Sequence, residues 1–411
     1  MGKQSTRGRA EASPQWETLE DWVRGHVQQY IQRLLEDEVT EFLGRQKSAR
    51  RRRVDGPRGY RNGYGKPRRL TVSCGTITVN RPRVREAEEH FVSRVLPVFK
   101  RKSTAVSNVL PELYLHGLAQ GDFELALRGL LGDGAPLSGS TVARLKEKWQ
   151  TEFAQWQRRP LDEVDAVYCW VDGIYVKAGL EKDKAALLVV LAALSDGRKV
   201  VLAVVPGHRE STESWSGVLR ELKQRGLQCP RLVIGDGHLG IWGALRNVYP
   251  QAAEQRCWNH KILNVLDKLP KNQYASANKL LRSVMYAATR REAERRRDQF
   301  VHWCEQRASH RAADCLRTDW DRMVTFYDFP QAHWQHLRTS NPVESPFSAA
   351  RLRTDAARRF KKVENATAMI WKILLVAERA FRRVKHPELM NGVHNGVHYV
   401  DGLQVRTKAA A

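Results

Sequence analysis

The chain has 411 residues, 42% of them hydrophobic, which predicts about two to four folded units rather than a single core. Its formal net charge of +24 at pH 7 favours a polyanionic partner, meaning nucleic acid or an anionic membrane. The longest apolar run, 185–194, is about half the length of a membrane-spanning helix, so we expect nucleic acid and no membrane.

The N-terminus and the cysteines indicate the compartment. Residues 1–15 form a basic stretch without an apolar core, so we expect a disordered tail and not a secretory signal. The six cysteines lie far apart in a long chain, which favours reduced thiols over a disulfide framework. Together these features predict a cytoplasmic protein.

Residues 16–103 are predicted to form an N-terminal amphipathic helix followed by a basic region with a β-hairpin. Over 16–43 apolar residues recur at helical spacing, which predicts one long amphipathic helix or two shorter ones. This helix either packs on its own domain or serves for dimerisation. Over 70–80 apolar and polar residues alternate around Gly75, which predicts a small β-hairpin.

A basic segment rich in glycine and tyrosine lies between these elements. Residues 45–69 hold eleven Lys or Arg and a single acid, Asp55. Arginine binds phosphates, tyrosine stacks on bases and glycine lets the backbone approach closely. We therefore expect a loop that contacts DNA, although a charge run can also be a plain solvated face. The residues expected to contact DNA are Arg58, Tyr60, Arg61, Tyr64, Lys66, Arg68 and Arg69.

Residues 104–158 have a helical pattern throughout. A helix over 123–131 is followed by a glycine-rich connector and by a basic helix that begins near Ser140. This order is typical of a helix-turn-helix-like DNA-binding domain, with Arg144 and Lys146 facing DNA. The connector is longer than the usual turn, and a plain helical pair is the alternative.

The pattern changes to α/β after residue 158. Three adjacent strands, then helix, strand, helix and strand, is the element order of an RNase H-like domain. We place its first part at 159–260, an all-helical insertion at 261–335, its C-terminal helices at 336–385 and a loose tail at 386–411. The predicted elements are strands at 164–178, 185–195, 199–206, 231–235 and 253–258, with helices at 211–225 and 238–248.

Three acids stand at positions suited to chemistry. Asp172 lies in the first strand, Asp236 ends the fourth, and Glu344 begins a C-terminal helix. In such a sheet the first and fourth strands can be neighbours, which would bring the first two acids together. Buried carboxylates repel one another unless a cation lies between them, and hard oxygen ligands favour Mg²⁺ or Mn²⁺. We predict two such ions, arranged for phosphoryl transfer.

The acids belong to four motifs that follow one another along the chain. With these motifs the chain resembles the Mutator-type DDE transposases of bacterial insertion sequences over roughly residues 18–385, including Gly59-Tyr-Arg-Asn-Gly-Tyr and the helix of residues 138–145. The resemblance implies that Asp172, Asp236 and Glu344 are the catalytic and metal-binding triad, and we expect Arg338 and Asn341 to contact DNA. The motifs are Asp172-Gly-Ile-Tyr-Val-Lys, Gly-Asp236-Gly-His238-Leu-Gly, Gln-Arg-Cys257-Trp-Asn-His260 and Arg338-Thr-Ser-Asn341-Pro-Val-Glu344.

The Cys257-x-x-His260 motif has two interpretations. It is half of a zinc site, which His333-x-x-His336 could complete. The resemblance instead places Cys257 and His260 beside the active site, where His260 could contact the scissile phosphate or a base.

Other side chains near these motifs stay open. His238 could cap its helix, bond an active-site carboxylate or contact DNA. The tryptophans of the insertion form a small core or, in one case, stack on a base; they are Trp303, Trp320 and Trp334.

These features predict a DNA transposase. It would bind the terminal inverted repeats of its insertion sequence and join them to target DNA by metal-dependent cleavage and strand transfer. Pairing two ends implies a homodimer or a higher synaptic oligomer, on the nucleoid of a bacterial cytoplasm. The alternatives are an RNase H-like nuclease that cuts without joining, and an inactive DNA-binding repressor derived from a transposase.

Overall fold

The chain forms two compact units, Met1–Leu145 and Lys146–Ala411, with the division inside helix α4. The computed structural model describes residues 15–49, 58–97, 99–118, 122–131, 139–178, 185–207, 210–237, 239–357 and 360–405. None of the helices in these ranges is both long enough and apolar enough to cross a bilayer.

The first unit begins with the predicted amphipathic helix. A 3₁₀ turn, Trp16–Thr18, leads into α1, Leu19–Leu43, which ends at Gly44 in the left-handed conformation. Leu35 packs with Leu70, Ile77 and Val79. The helix therefore packs on its own unit, which is one of the two arrangements that its pattern allowed.

Four strands follow α1. The predicted hairpin is confirmed, because β2 and β3 pair antiparallel and turn at Gly75, where φ is +115°. The two outer strands, β1 and β4, also pair antiparallel, with a register shift between Arg61 and Tyr64. The strands are β1 Tyr60–Tyr64, β2 Arg68–Val72, β3 Gly75–Val79 and β4 Pro82–Arg85.

The glycine–tyrosine segment is therefore a strand, and its prediction as a loop is wrong. Its side chains bond back to α1: Arg61 donates to Thr40 Oγ1 at 2.7 Å and Tyr64 donates to Glu36 Oε1 at 2.6 Å. Gly63, at φ +61°, allows the irregularity that lets both residues reach the helix. A segment rich in glycine can thus pair as a strand when its polar side chains have partners.

Three helices complete this part of the chain. They are α2 Thr104–Leu115, α3 Phe123–Leu131 and α4 Gly139–Gln157. Ser103 caps α2 by accepting a hydrogen bond from the Val106 amide. The connector of the predicted helix-turn-helix, 132–138, lies outside the described residues.

A five-stranded mixed sheet forms the centre of the second unit. Its strand order is β7-β6-β5-β8-β9, with β7, β6 and β5 antiparallel and with β8 and β9 added parallel to β5. This is the meander extended by parallel strands that the sequence predicts. The strands are β5 Ala166–Val176, β6 Ala185–Leu194, β7 Lys199–Gly207, β8 Leu232–Gly235 and β9 Ala253–Arg256.

Two helices cover one face of this sheet. Ser211 caps α5, Thr212–Gln224, and α6, Leu239–Val248, follows β8. Trp215 and Trp242 from these helices are buried in the core cluster that contains Val171 and Val233 of the strands. The strands β6 and β8 are almost fully buried, as expected for continuous apolar runs.

The chain after β9 is helical as far as α15, as its charged pattern without strand signals predicts. No strand is assigned anywhere in 257–357, all of which is described. The helices are α7 Trp258–Leu266, α8 Tyr274–Met285, α9 Arg290–Glu305, α10 His310–Arg317, α11 Trp320–Met323, α12 Trp334–Leu337, α13 Asn341–Glu344, α14 Phe347–Ala357 and α15 Val363–Glu378, with 3₁₀ turns at Lys271–Gln273, Thr325–Asp328 and Gln331–His333.

The C-terminal segment is ordered through residue 405, so its prediction as a loose tail is wrong there. It forms α16, Glu388–His394, and a two-strand ladder of β10, Tyr399–Val400, and β11, Leu403–Gln404. Gly402 exchanges backbone hydrogen bonds with Tyr327 and Gln331. The glycines that suggest looseness here permit this close approach; residues 406–411 lie outside the described part.

Candidate active site

Two adjacent parallel strands carry the first two acids. Trp170 of β5 is the register partner of Ile234 of β8, and each acid lies two residues further along its strand direction. Asp172 and Asp236 therefore reach the same level of neighbouring strands, which run about 4.8 Å apart. The apolar runs before both residues hold this edge in the core.

Asp172 is buried, with 9% of its surface exposed. Its Oδ1 accepts a hydrogen bond from the Gly173 amide at 2.8 Å. Burial, assisted by the charges of Asp236, Glu344 and Glu210 and opposed by that hydrogen bond, raises the pKa of Asp172 to about 7. The other two acids predicted from the sequence thus lie within electrostatic reach of Asp172.

Glu344 is the last residue of the one-turn helix α13. Pro342 is accepted there because the first turn of a helix leaves its amides unpaired. Ser340 donates its hydroxyl to Glu344 Oε1. Glu344 therefore stands at the end of a short turn rather than at the start of a long helix, and a serine holds its carboxylate.

Hydrogen bonds of the motif around Cys257 connect the segment before Glu344 to the sheet. The Cys257 amide donates to Gly235 O at 2.7 Å and the Trp258 amide donates to Arg338 O at 2.9 Å. Cys257 Sγ also accepts from the Ser340 amide at 3.3 Å. The chain leaving β9 is thus bonded on one side to β8 and on the other to residues 338–340.

His260 lies next to Glu344. Its Nδ1 is 3.8 Å from Glu344 Oε1 and 3.4 Å from Ser340 Oγ. A hydrogen bond with Cys257 raises the pKa of His260 to about 9, with burial opposing and the charges of Glu344 and Asp236 assisting. Cys257 and His260 thus lie next to Glu344.

The zinc site that would join this motif to His333 and His336 is not formed, so that alternative is wrong. His333 uses both ring nitrogens, bonding the Tyr168 hydroxyl at 2.8 Å and His386 O at 3.1 Å. His336 accepts from the Lys385 amide, and burial lowers its pKa to about 4. Both histidines support the sheet and the C-terminal segment.

Cys257, His260 and Glu344 form a compact set of ligand atoms. One atom from each lies within 4.8 Å of the others, and no other group of three His, Cys, Asp or Glu in the described ranges is so arranged for a metal. Asp172 and Asp236 do not join Glu344 in such a group. Their hard oxygen donors nevertheless fit Mg²⁺ or Mn²⁺, since the burial of Asp172 calls for a cation to neutralise it.

A fourth acid, Glu210, was missed by reasoning from the sequence. A Cβ at residue 173 would lie 2.2 Å from Glu210 Oε1, so a side chain there would displace the Glu210 carboxylate. Tyr175 is hydrogen-bonded to Glu210, and partial burial together with this bond raises the pKa of Tyr175. A Cβ at residue 240 would lie 2.3 Å from Glu210 O. The glycines after Asp172 and in the Asp236 motif were the available signal.

A buried ion pair supports the turn after Asp236. Arg256 Nη1 lies 2.5 Å from Asp319 Oδ2, and both side chains are nearly buried. A Cβ at Gly237, whose φ is +99°, would lie 2.1 Å from Arg256 Nε. Glycine is therefore favoured at 237 both by the positive φ and by the Arg256 guanidinium packed against it. The neighbouring His238 lies outside the described residues.

The residues expected to contact DNA divide into two groups. Some bond mainly to the protein: Arg61 to Thr40, Arg68 to Lys100 O at 2.8 Å, and Asn341 Oδ1 to Asn259 at 2.9 Å. Arg338 lies about 5 Å from the rings of Phe326, Tyr286 and Trp334. The others are exposed or partly exposed: Arg58, Tyr60, Tyr64, Lys66, Arg69, Arg144 and Lys146.

The insertion tryptophans contribute mainly to packing. Trp334 is buried and donates to Phe329 O at 2.8 Å. Trp320 meets Trp258 edge to face at 6.2 Å. Trp303 is partly exposed, stacked on Phe300 at 5.7 Å and covered by Arg307.

Comparison with known proteins places these motifs in a family. A sequence model described as a transposase of the Mutator family matches residues 3–383. The chain is 42% identical over 298 residues to the transposase for insertion sequence element IS6120 of Mycolicibacterium smegmatis, covering 72% of this chain and 92% of that protein.

Two further relatives extend the likeness. The transposase for insertion sequence element IST2 of Acidithiobacillus ferrooxidans is 37% identical over 280 residues, which cover 68% of this chain and 94% of that protein. The transposase for insertion sequence element ISRM5 of Rhizobium meliloti is 28% identical over 356 residues, covering 85% and 86%.

Proposed function

The chain belongs to the Mutator family of transposases, and from that premise we propose that it cuts and joins DNA strands at the ends of its own insertion sequence. The observation that carries the proposal is that Asp172 in β5 and Asp236 directly after β8 lie at the same level of the mixed sheet, with Glu344 near enough for its charge to raise the pKa of Asp172. Acids placed in this way on such a sheet would suit an RNase H-like nuclease or transferase domain.

The substrates follow from charge. The net charge of +24 suits phosphodiester backbones, and the exposed basic and tyrosine side chains around β1 supply contacts to them. We propose that they bind the terminal inverted repeats and that target DNA enters the same site. Both ends must be held together, so the working form is a homodimer or a larger synaptic assembly on the bacterial nucleoid.

Asp172, Asp236 and Glu344 would hold two Mg²⁺ or Mn²⁺ ions. Metal bound there would supply stabilisation of the charge on the attacking and leaving oxygens of a phosphoryl transfer. Asp172 must lose its proton to serve as a ligand. Because its pKa is raised to about 7, the fraction of Asp172 that is able to bind a metal changes with pH near neutrality. Ser340 orients Glu344, and His260 places a positive charge beside it.

The proposed reaction has two balanced steps. Water attacks a phosphodiester at the element end, one P–O bond forms as the P–O3′ bond breaks, and a free 3′-OH is left. That 3′-OH then attacks a phosphodiester of the target, forming one bond and breaking another. No covalent bond to the protein and no external energy source are needed.

The test uses Asp172→Asn, Asp236→Asn and Glu344→Gln with DNA that carries the element ends. Each variant should lose Mg²⁺-dependent cleavage while still retarding end DNA in a gel. Asp267→Asn, an exposed acid just after α7, is the matched control and should cut normally.

The products separate the alternatives. Joined strands support a transposase, whereas cuts without joining indicate a nuclease. Binding without any cutting indicates a repressor. Retained cleavage in all three triad variants contradicts the proposed site.

A further inference from the structure

Glu344 lies beside two groups of side chains with different ligand chemistry. On the side of the sheet are Asp172 and Asp236, and the charges of Asp236 and Glu344 both act on the Asp172 carboxyl. Towards α7 its neighbours are the sulfur of Cys257 and the imidazole of His260, each contributing an atom within 4.8 Å. Carboxylates alone select hard cations, whereas a thiolate and an imidazole select Zn²⁺ and similar metals.

The α7 set has the features of a protein metal site. Cys257 is the N-cap residue of α7 and His260 lies in its first turn, and their ligand atoms are within 4.8 Å of each other. Cys257 is fully buried, while His260 and Glu344 are partly exposed and can be reached from solvent. The three groups supply one sulfur, one nitrogen and one oxygen, a donor set that zinc accepts in catalytic and regulatory sites.

Ser340 supports the same set from behind. Its amide donates to Cys257 Sγ, and its hydroxyl donates to Glu344 and lies near His260 Nδ1. Hydrogen bonds of this kind orient metal ligands. One residue therefore touches all three ligands.

The distances are close to those that zinc requires. Bonds of about 2.0–2.3 Å in a tetrahedron put ligand atoms roughly 3.5 Å apart. His260 Nδ1 and Glu344 Oε1 are 3.8 Å apart, and one ligand atom from each of the three residues lies within 4.8 Å of the others. Side-chain rotations that move the ligand atoms by about 1 Å would bring them to bonding distance from one ion, with a fourth position for water.

We propose that Cys257, His260 and Glu344 bind one Zn²⁺ ion, and that zinc bound there withdraws Glu344 from the carboxylate site and stops strand cleavage. The binding site stands on the geometry alone, whereas the inhibition rests on the proposed function. Zinc would then act as a reversible inhibitor that competes with Mg²⁺ or Mn²⁺ for the Glu344 carboxylate.

The binding test uses the metal-stripped full chain titrated with Co²⁺, which reports a thiolate ligand through a charge-transfer absorption. We expect one equivalent with this absorption, displaced by one equivalent of Zn²⁺. Cys257→Ser should abolish the absorption, and Glu344→Gln should weaken cobalt binding at least ~10-fold. Cys229→Ser, a part-exposed thiol before β8, is the matched control and should behave as the parent.

The inhibition test measures cleavage of end DNA in excess Mg²⁺ with increasing Zn²⁺. The midpoint of inhibition should match the zinc dissociation constant from the cobalt displacement, and a chelator selective for zinc should restore cleavage. Absence of the thiolate absorption in the parent, or its persistence in Cys257→Ser, overturns the site.

The two proposals fail in different ways. A chain that shows the cobalt absorption but never cuts DNA keeps the metal site and loses the proposed function. A chain that cuts DNA without the absorption loses the metal site only. Because Glu344→Gln removes a partly exposed carboxylate, it reports on binding even if Cys257→Ser does not fold.

Discussion

Asp172 lies in β5 and Asp236 is the first residue after β8, and each is two residues beyond the paired Trp170 and Ile234. The register of these two parallel strands therefore brings the two acids to the same level. Glu344 alone arrives from outside the sheet, so its placement depends on the contacts of α13 and α7.

The first prediction concerns pH and stability. Burial raises the pKa of Asp172 to about 7 in the folded protein, whereas an unfolded aspartate titrates near about 3.9. Between these values the folded state keeps a proton that the unfolded state has lost, so the free energy of unfolding falls as pH rises through this window. Metal-free Asp172→Asn should be more stable than the parent at about pH 8, by up to a few kcal/mol, but not at about pH 4.

Thermal denaturation with and without Mg²⁺ checks this. Mg²⁺ should raise the melting temperature of the parent at the higher pH and leave the variant unchanged. A difference between the two proteins that is constant across pH would contradict the burial of an ionisable carboxyl at this site.

The second prediction concerns the serine that orients Glu344. Ser340→Ala removes the hydroxyl that donates to Glu344, so cleavage should fall roughly 10- to 100-fold with end binding unchanged. Ser348→Ala, which removes an exposed hydroxyl that donates to Ser345 O, is the control. Equal cleavage by both variants in a steady-state assay would show that the hydroxyl does not position the acid.

The third prediction concerns Glu210, the acid that was not identified from the sequence. The charge of Glu210 contributes to the raised pKa of Asp172. Glu210→Gln should therefore move the acidic limb of the pH–rate profile towards lower pH. Glu213→Gln, an exposed acid in the first turn of α5, should leave the limb in place. Identical profiles for the parent and Glu210→Gln refute the coupling.

The fourth prediction compares two glycines. At Gly237 an alanine meets Arg256 and a positive φ, so Gly237→Ala should lower the free energy of unfolding by about 1–3 kcal/mol and reduce cleavage. At Gly217, inside α5, an added Cβ meets nothing within 4 Å, so Gly217→Ala should stabilise by about 0.5–1 kcal/mol. Chemical denaturation measures both, and the same sign for the two changes would contradict the packing of Arg256.

The sheet of the second unit was predictable because its strands are nearly continuous apolar runs. Such runs have no exposed face, which fixes both their type and their central position. The neighbouring first and fourth strands also followed from the element order. That Asp172 and Asp236 lie at the same level of the sheet could not be predicted, because it depends on the register between β5 and β8, which no local sequence pattern specifies.

The errors share a physical origin in long-range hydrogen bonds. The β1 segment looks like a loop until its partner strand and the α1 side chains are known. The C-terminal glycines look mobile until Gly402 is bonded to Tyr327. His333 looks like a metal ligand until both of its nitrogens are taken by Tyr168 and His386.

The hydrogen bond between the Trp258 amide and Arg338 O joins the two ends of the helical segment 259–337 at the sheet. The same segment is also bonded to β9 away from its ends, because Asp319 pairs with Arg256 and Met323 O accepts from Gln255. Changes of length that remove these inner contacts would therefore reach the turn after Asp236 even where the two ends of the segment stay joined.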